Sequence, residues 1–282
     1  MSKASDLLQR PIIIVSTPRS GSTFLYEILE QAPGLFTTGQ ESHWLIEDIP
    51  GLAPPDRGWS SNRLAADDVT PERSEAIANE FYRQLRDRAG AKPGERVRML
   101  EKTPKNALRV PFFDAIWPDS IFIYLHRDVR DTLASMMEAW ACGAFRTYPD
   151  LPGWTGYPWS LLLVPGWQQL VGRSLPEIVA RQWATTTDIL IDDLKTLPKA
   201  RLRVLSYESL RQSPQAVVEQ LATSLGLQWD RQLDRELPLS KTTVSPPRPD
   251  KWRRLEAVVE AVLPIVAPAE ARARDFIDDF EA

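Results

Sequence analysis

The run Ile12–Ile13–Ile14–Val15 passes directly into Ser16–Thr17–Pro18–Arg19–Ser20–Gly21–Ser22–Thr23. Successive β-branched residues with neither a helical nor an alternating period read as a short strand buried on both faces, the kind that occupies the centre of a parallel sheet. Thr17–Pro18 ends it. Phe24, Leu25, Ile28 and Leu29 then recur at helical spacing until Pro33–Gly34, which predicts a helix opening near Ser22 or Thr23. A strand, a tight loop and a helix in succession leave free backbone N–H groups and a positive dipole end aimed at one spot, where an anion is held. Arg19 adds a fixed charge, Gly21 lets the backbone approach closely, and Ser22 and Thr23 add hydroxyl donors. The loop has a single glycine and no lysine, unlike the loop of nucleoside triphosphatases, which needs paired glycines, Lys and a metal-binding hydroxyl. A phosphate-bearing donor used without a metal is expected instead.

Similar buried-strand signals stand at residues 97–101, 121–125 and 202–206, with helical patterns between them. This alternation predicts an α/β fold: one P-loop-like three-layer domain over residues 1–282, with a mostly parallel sheet and helices on both faces, preceded by an N-terminal extension at residues 1–10. A hydrophobic content of 43% over 282 residues is enough for one large core. The net charge of −4 argues against general nucleic-acid binding, so any phosphate site must be local. One cysteine, Cys142, excludes an internal disulfide framework, and two histidines, His43 and His126, argue against a metal centre. Residues 1–10 lack the apolar core of a signal peptide, and no window approaches the roughly 18 apolar residues of a membrane span. A soluble, cytoplasmic protein without membrane contact is expected.

Two excursions interrupt the alternation. Residues 50–71 are rich in Pro, Gly, Ser and Asp and precede a predicted helix over residues 71–90. The second, within residues 140–175, gathers Trp140, Trp154, Trp159, Trp167, Tyr148 and Tyr157. It reads either as a loop whose aromatics complete the core or as a lid over an acceptor site.

The strand at 121–125 ends in His126–Arg127–Asp128 and leads into a helix through Leu133, Met136, Met137 and Trp140. Arg127 and Ser135 are two helical turns apart, so a strand-end guanidinium and a hydroxyl can close on one phosphate, with Arg130 nearby. The same segment also reads as a helix start favoured by Asp128 and Asp131, its arginines forming surface pairs.

At these residues the chain resembles the sulfotransferases that use 3′-phosphoadenosine 5′-phosphosulfate (PAPS), in particular bacterial enzymes like the tyrosylprotein sulfotransferases. The resemblance implies that residues 18–23, with Arg19, Ser20, Gly21, Ser22 and Thr23, hold the 5′-phosphosulfate, and that Arg127 and Ser135 hold the 3′-phosphate. It extends to residues 203–227, whose Tyr207–Glu208 is similar to the Tyr–Glu that buttresses the nucleotide in that family, and Tyr207 is counted with the donor site. It covers residues 11 to about 255, while 50–96 and 140–173 carry no matching motif.

The chemistry needs a proton acceptor and cations. Glu41, in Thr38–Gly39–Gln40–Glu41–Ser42, follows the apolar pair Leu35–Phe36 one connection beyond the first helix, where open α/β sheets place ligand crevices. The segment resembles the family's Gly-x-Glu, whose carboxylate is the general base. His43 stands within reach of the same cleft, as base, substrate contact or packed ring. Lys102, at the end of the 97–101 strand, resembles the family's Lys-x-Pro lysine, which implies a role on the bridging oxygen and sulfonate; Lys105 is a weaker candidate. Ser240, Lys241, Ser245 and Lys251 lie in a C-terminal segment that also looks family-like and implies contacts to the donor phosphates.

The expectation is a sulfotransferase with PAPS as co-substrate, adenosine 3′,5′-bisphosphate as product, and no metal. Its acceptor is a small-molecule, carbohydrate or tyrosyl hydroxyl. A kinase-like phosphotransferase and a nucleotide-binding protein without catalysis stay open as alternatives.

Overall fold

Alternate residues of the first strand, β1 (Ile12–Val15), serve two different cores. Ile13 and Val15 join one buried cluster, and Ile12 and Ile14 join another on the opposite face. A strand sandwiched in this way needs apolar side chains at every position, and this one has them.

The computed structural model describes residues 4–234, 238–246 and 250–281. After β1 come α1 (Ser22–Leu29), β2 (Leu35–Phe36), α2 (His43–Glu47), α3 (Pro71–Gln84), β3 (Arg98–Lys102), α4 (Val110–Ile116), β4 (Ile121–His126) and α5 (Val129–Cys142). A short hairpin, β5 (Arg146–Tyr148) with β6 (Trp159–Ser160), precedes α6 (Leu175–Lys195). The chain continues through β7 (Leu202–Ser206), α7 (Tyr207–Gln212), α8 (Pro214–Leu225) and α9 (Glu256–Glu281).

The main sheet has five strands in the order β2-β3-β1-β4-β7, each neighbour pair parallel. Parallel pairing aligns every strand's C-terminal end along one edge, and crossover helices cover both faces. Ile12, Ile14, Leu100, Ile121 and Ile123 pack against α1 and α8. Ile13, Val15, Met99, Phe122 and Tyr124 face the other way, against α3, α4 and α6. The expected strands and the α/β class are all present.

The helix expected over residues 71–90 stops at Gln84, because the backbone of Arg86 pairs with Thr37 through N–H···O bonds of 2.8 and 2.9 Å. The expected N-terminal extension packs into the fold where it is described. Leu8 is buried, and the Val97 N–H donates to the Leu7 carbonyl at 2.9 Å; residues 1–3 lie outside the described residues.

The aromatic excursion forms a third cluster with α5, α6 and α9. Trp140, Trp159 and Trp167 are buried, and their ring N–H groups are all used: on Gln182, on the Leu162 carbonyl and on the Trp59 carbonyl. Buried indoles with satisfied donors mark fixed packing. No helix among the described residues is long and apolar enough to cross a membrane.

Candidate active site

The turn after β1 is braced internally. Thr17 and Ser20 share a hydroxyl–hydroxyl bond of 2.7 Å, and Ser20 is buried. Arg19 and Gly21 both take positive φ, +69° and +92°. A Cβ on Gly21 would stand 2.3 Å from the Tyr207 ring, so glycine is required there by conformation and by space. No side chain caps the start of α1, which leaves its first N–H groups open toward the cavity that Gly21, Ser22 and Thr23 line.

The second strand end meets this loop. Arg127, just past β4, donates to the Arg19 carbonyl at 3.2 Å and lies over the Tyr207 ring at 4.7 Å. Its Nε is buried with no hydrogen-bond partner among the described residues. Ser135, two turns into α5, accepts from Arg19 Nε at 3.4 Å; the same guanidinium reaches the Thr242 carbonyl at 3.0 Å and covers Phe145 at 4.6 Å. Burial, followed by the neighbouring charge of Arg127, holds Arg19 below the ordinary arginine pKa. Two guanidiniums from separate strand ends are thus drawn together, which favours an anion between them. Glu208 ties the end of β4 to that of β7, accepting from the Asp128 N–H at 3.1 Å and the Ser206 hydroxyl at 3.0 Å.

Lys102, at the end of β3, is almost wholly buried and bridges Thr23 Oγ1 at 2.8 Å and Glu41 Oε1 at 3.1 Å. The candidate base is therefore joined through one ammonium to the turn after β1. Its segment is fastened from below by Glu101, which sequence reasoning missed. Fully buried, Glu101 accepts from Ser42 Oγ at 2.5 Å, Thr103 Oγ1 at 2.8 Å and Asn106 Nδ2 at 3.0 Å. Burial pushes its carboxyl pKa up. The Ser42 N–H also donates to Thr103 at 2.9 Å, so the backbone on one side of Glu41 is held.

These groups open on one cavity of about 370 Å³. The match of residues 11–231 to the model of the sulfotransferase family covers more than half of the chain and takes in Arg19, Glu41, Lys102, Arg127 and Ser135. The chain belongs to the sulfotransferase family. It is 24% identical over 223 residues to a Caenorhabditis briggsae protein described as "Putative protein-tyrosine sulfotransferase", covering 79% of this chain and 67% of that one. Among solved structures it is similar to a sulfotransferase from Alicyclobacillus acidocaldarius, at 16% identity and a TM-score of 0.51 over 98% of this chain and 100% of that one. It is also similar to sulfotransferase STF1 from Mycobacterium tuberculosis, at 15% identity and a TM-score of 0.50 over 93% and 77%. These two likenesses bear on the fold.

In this sulfotransferase the cavity wall gathers most residues expected from sequence: Arg19, Gly21, Ser22, Thr23, Glu41, His43, Arg127, Ser135, Tyr207, Ser240 and Lys251. Three differ. Ser20 spends its hydroxyl on Thr17 and does not line the cavity; it braces the loop. Lys241 points into solvent, its backbone N–H donating to Glu27 at 3.2 Å, while its neighbours Thr242 and Thr243 take the wall. Lys102 touches the cavity only through Thr23 and Glu41. In the C-terminal segment, Lys251 and Ser245 bind one another and Glu138, and residues 247–249 lie outside the described residues.

Pro104, Lys105, Phe145, Arg146, Thr147, Leu161 and Leu162 also line the cavity. Part of the aromatic excursion is thus a side of the cavity, while its indoles Trp140, Trp159 and Trp167 lie in the core. His43 begins α2; burial, and after it the charge of Lys105, holds its pKa below 6.5. Its Nδ1 is buried without a hydrogen-bond partner among the described residues.

Behind this wall, Glu47 binds Lys105 Nζ through both oxygens, at 2.9 and 2.7 Å, and also Arg109, which is fully buried. Burial raises the Glu47 carboxyl, but Arg109 and Lys105 together outweigh it, and its pKa falls below the ordinary carboxylate value. Arg109 continues to the Asn62 carbonyl at 3.1 Å, and Asn62 to the Tyr148 hydroxyl. This network pins the hairpin that carries the wall.

Proposed function

We propose that this sulfotransferase moves a sulfuryl group from PAPS to the hydroxyl of an acceptor by in-line displacement. The observation that supports it most is the meeting of two strand ends, where Arg127 donates to the Arg19 carbonyl and Arg19 to Ser135, beside the start of α1. One anion site is a common feature of strand-loop-helix units; two side by side fit a donor with phosphates at both ends of one ribose. The residues fit the group further in that Arg127 keeps a buried, unused Nε–H. In this reading residues 19–23 hold the 5′ end, Arg127 and Ser135 the 3′-phosphate, and Tyr207 the floor between them.

The acceptor hydroxyl gives its proton to Glu41, its oxygen forms the new bond to sulfur, and the bond from sulfur to the 5′-phosphate oxygen breaks. Adenosine 3′,5′-bisphosphate leaves. Lys102 lies between Glu41 and Thr23, so its charge is freed toward the departing oxygen as the carboxylate takes up the proton. The printed name of the Caenorhabditis briggsae relative adds tyrosyl hydroxyls to the small phenols and sugars worth trying as acceptors.

The test is transfer of labelled sulfate from PAPS to a panel of phenols, sugars and tyrosyl peptides, with wild type and Glu41→Gln. Transfer by wild type and its loss in the variant are expected. Transfer undiminished in Glu41→Gln removes the carboxylate from this role, and phosphoryl transfer from magnesium ATP in place of sulfate transfer overturns the reading.

A further inference from the structure

The Glu47 cluster holds one carboxylate and two cations, Lys105 and Arg109. Charges withdrawn from water are stable when balanced, and Arg109 alone balances Glu47. Lys105 is therefore surplus. The neighbouring ion pairs do not absorb it: Arg63 is bound to Asp193, and Lys102 to Glu41. His43 has its pKa held down by burial and then by the charge of Lys105, and Glu101, whose Oε1 takes three neutral donors, has its carboxyl pKa raised by burial, which disfavours its charged form. Arg109 is fully buried and takes no part in the cavity wall, whereas Lys105 does. The excess positive charge of the cluster thus reaches the cavity at one nitrogen.

The surroundings of that nitrogen are specific. The ammonium itself is held by both oxygens of Glu47 and over the Tyr148 ring, 5.1 Å away, and the side chain is 7% exposed. Burial lowers its pKa to about 8, which leaves it mostly protonated at neutral pH. The same cavity is lined by Pro104, adjacent to Lys105 in the chain, by Phe145, Leu161 and Leu162, apolar wall on which a hydrocarbon body can lie, and by the exposed Arg146, a second cation. A preformed, immobilised ammonium next to an apolar wall has a use that a purely structural ion pair lacks.

We propose that Lys105 is a specificity-determining residue that reads an anionic substituent, of which carboxylate is the simplest, on a hydroxyl acceptor with an apolar body. This deepens the proposed function and rests on it, since the same cavity must take the donor beside Glu41. The acceptor is then a hydroxy acid, its hydroxyl at Glu41 and its acid group at Lys105. A charge-assisted bond to a held ammonium favours the acid over its neutral analogue by about tenfold or more.

The experiment is calorimetric binding, so it does not depend on turnover. Wild-type protein is first saturated with adenosine 3′,5′-bisphosphate; failure at this step sinks the donor reading and the inference with it. Matched acceptors are then titrated: para-hydroxyphenylacetate against para-hydroxyphenylacetamide, and ω-hydroxydecanoate against its amide. In at least one pair the acid is expected to bind about tenfold or more tightly than the amide. Lys105→Met should abolish that preference while leaving amide and bisphosphate affinities unchanged, and Lys105→Arg should keep it. Glu47 stays paired with Arg109 in Lys105→Met, so the variant should fold; if it does not, the wild-type acid-to-amide ratio decides alone. Equal or weaker binding of the acid in both pairs, or a preference that survives in Lys105→Met, overturns the proposal while the donor reading stands.

Discussion

At one end of the cavity the groups proposed to hold the donor come from two strand ends and the turns beside them. At the other they are side chains that meet across the fold. Arg19, Gly21, Ser22 and Thr23 are neighbours in sequence, and Arg127 and Ser135 are joined by two helical turns. Lys105 and Arg109, by contrast, meet Glu47 from 58 and 62 residues away, and Tyr148 reaches Asn62 across 86. The first end is set by local backbone geometry, which a parallel sheet supplies to any chain of this fold. The second is set by long side chains that meet across the sequence. On this account donor recognition and acceptor recognition are separable by mutation.

The largest effect is expected at the junction. Glu41→Gln removes the proton acceptor and should lower kcat on the order of a thousandfold, with bisphosphate affinity unchanged by calorimetry. A parallel loss of bisphosphate affinity would mean that the two ends are not separable there.

Next comes the scaffold behind the acceptor wall. Glu47→Gln leaves Lys105 and Arg109 buried without their carboxylate and should cost about 3–5 kcal/mol of stability in denaturant unfolding. A change under about 1 kcal/mol would place the cluster among pairs that water screens well. At the donor end, Gly21→Ala forces a Cβ onto Tyr207 at a positive φ. It should weaken bisphosphate binding by about tenfold or more while leaving the acceptor wall intact.

How much of this was legible follows the same division. The strands at 12–15, 121–126 and 202–206 announce themselves because burial on both faces demands continuous apolar, β-branched runs. The turn after β1 was legible because its residue types are required by its backbone. The strand Leu35–Phe36 is too short for any period, and the end of α3 at Gln84 depends on a bridge between Arg86 and Thr37 that no local pattern encodes. Glu101 could be read as one more strand residue; its burial shows only once Ser42, Thr103 and Asn106 surround it. The Glu47 cluster left no sequence signal apart from a Lys and an Arg near Pro104. The aromatic excursion was visible as composition, but which of its atoms are core and which are wall depends on packing against α5 and α6.

The smallest effect concerns pH. His43 is held below 6.5 in the folded chain, so as pH falls the unfolded chain takes up the proton first. Stability from this group is present above that value and is lost as pH drops below it. His43→Phe should flatten the acid limb of the stability profile below about pH 6.5; an unchanged limb would show that the ring titrates alike in both states.

The central claim is that this cavity holds a nucleotide by phosphates at two strand ends, and the most direct measurement compares adenosine 3′,5′-bisphosphate with adenosine 5′-monophosphate by calorimetry in the absence of magnesium. The account predicts that the bisphosphate binds about tenfold or more tightly and that Arg127→Ala brings the two affinities together. Equal affinities in the wild type, or a preference that Arg127→Ala leaves intact, would contradict it.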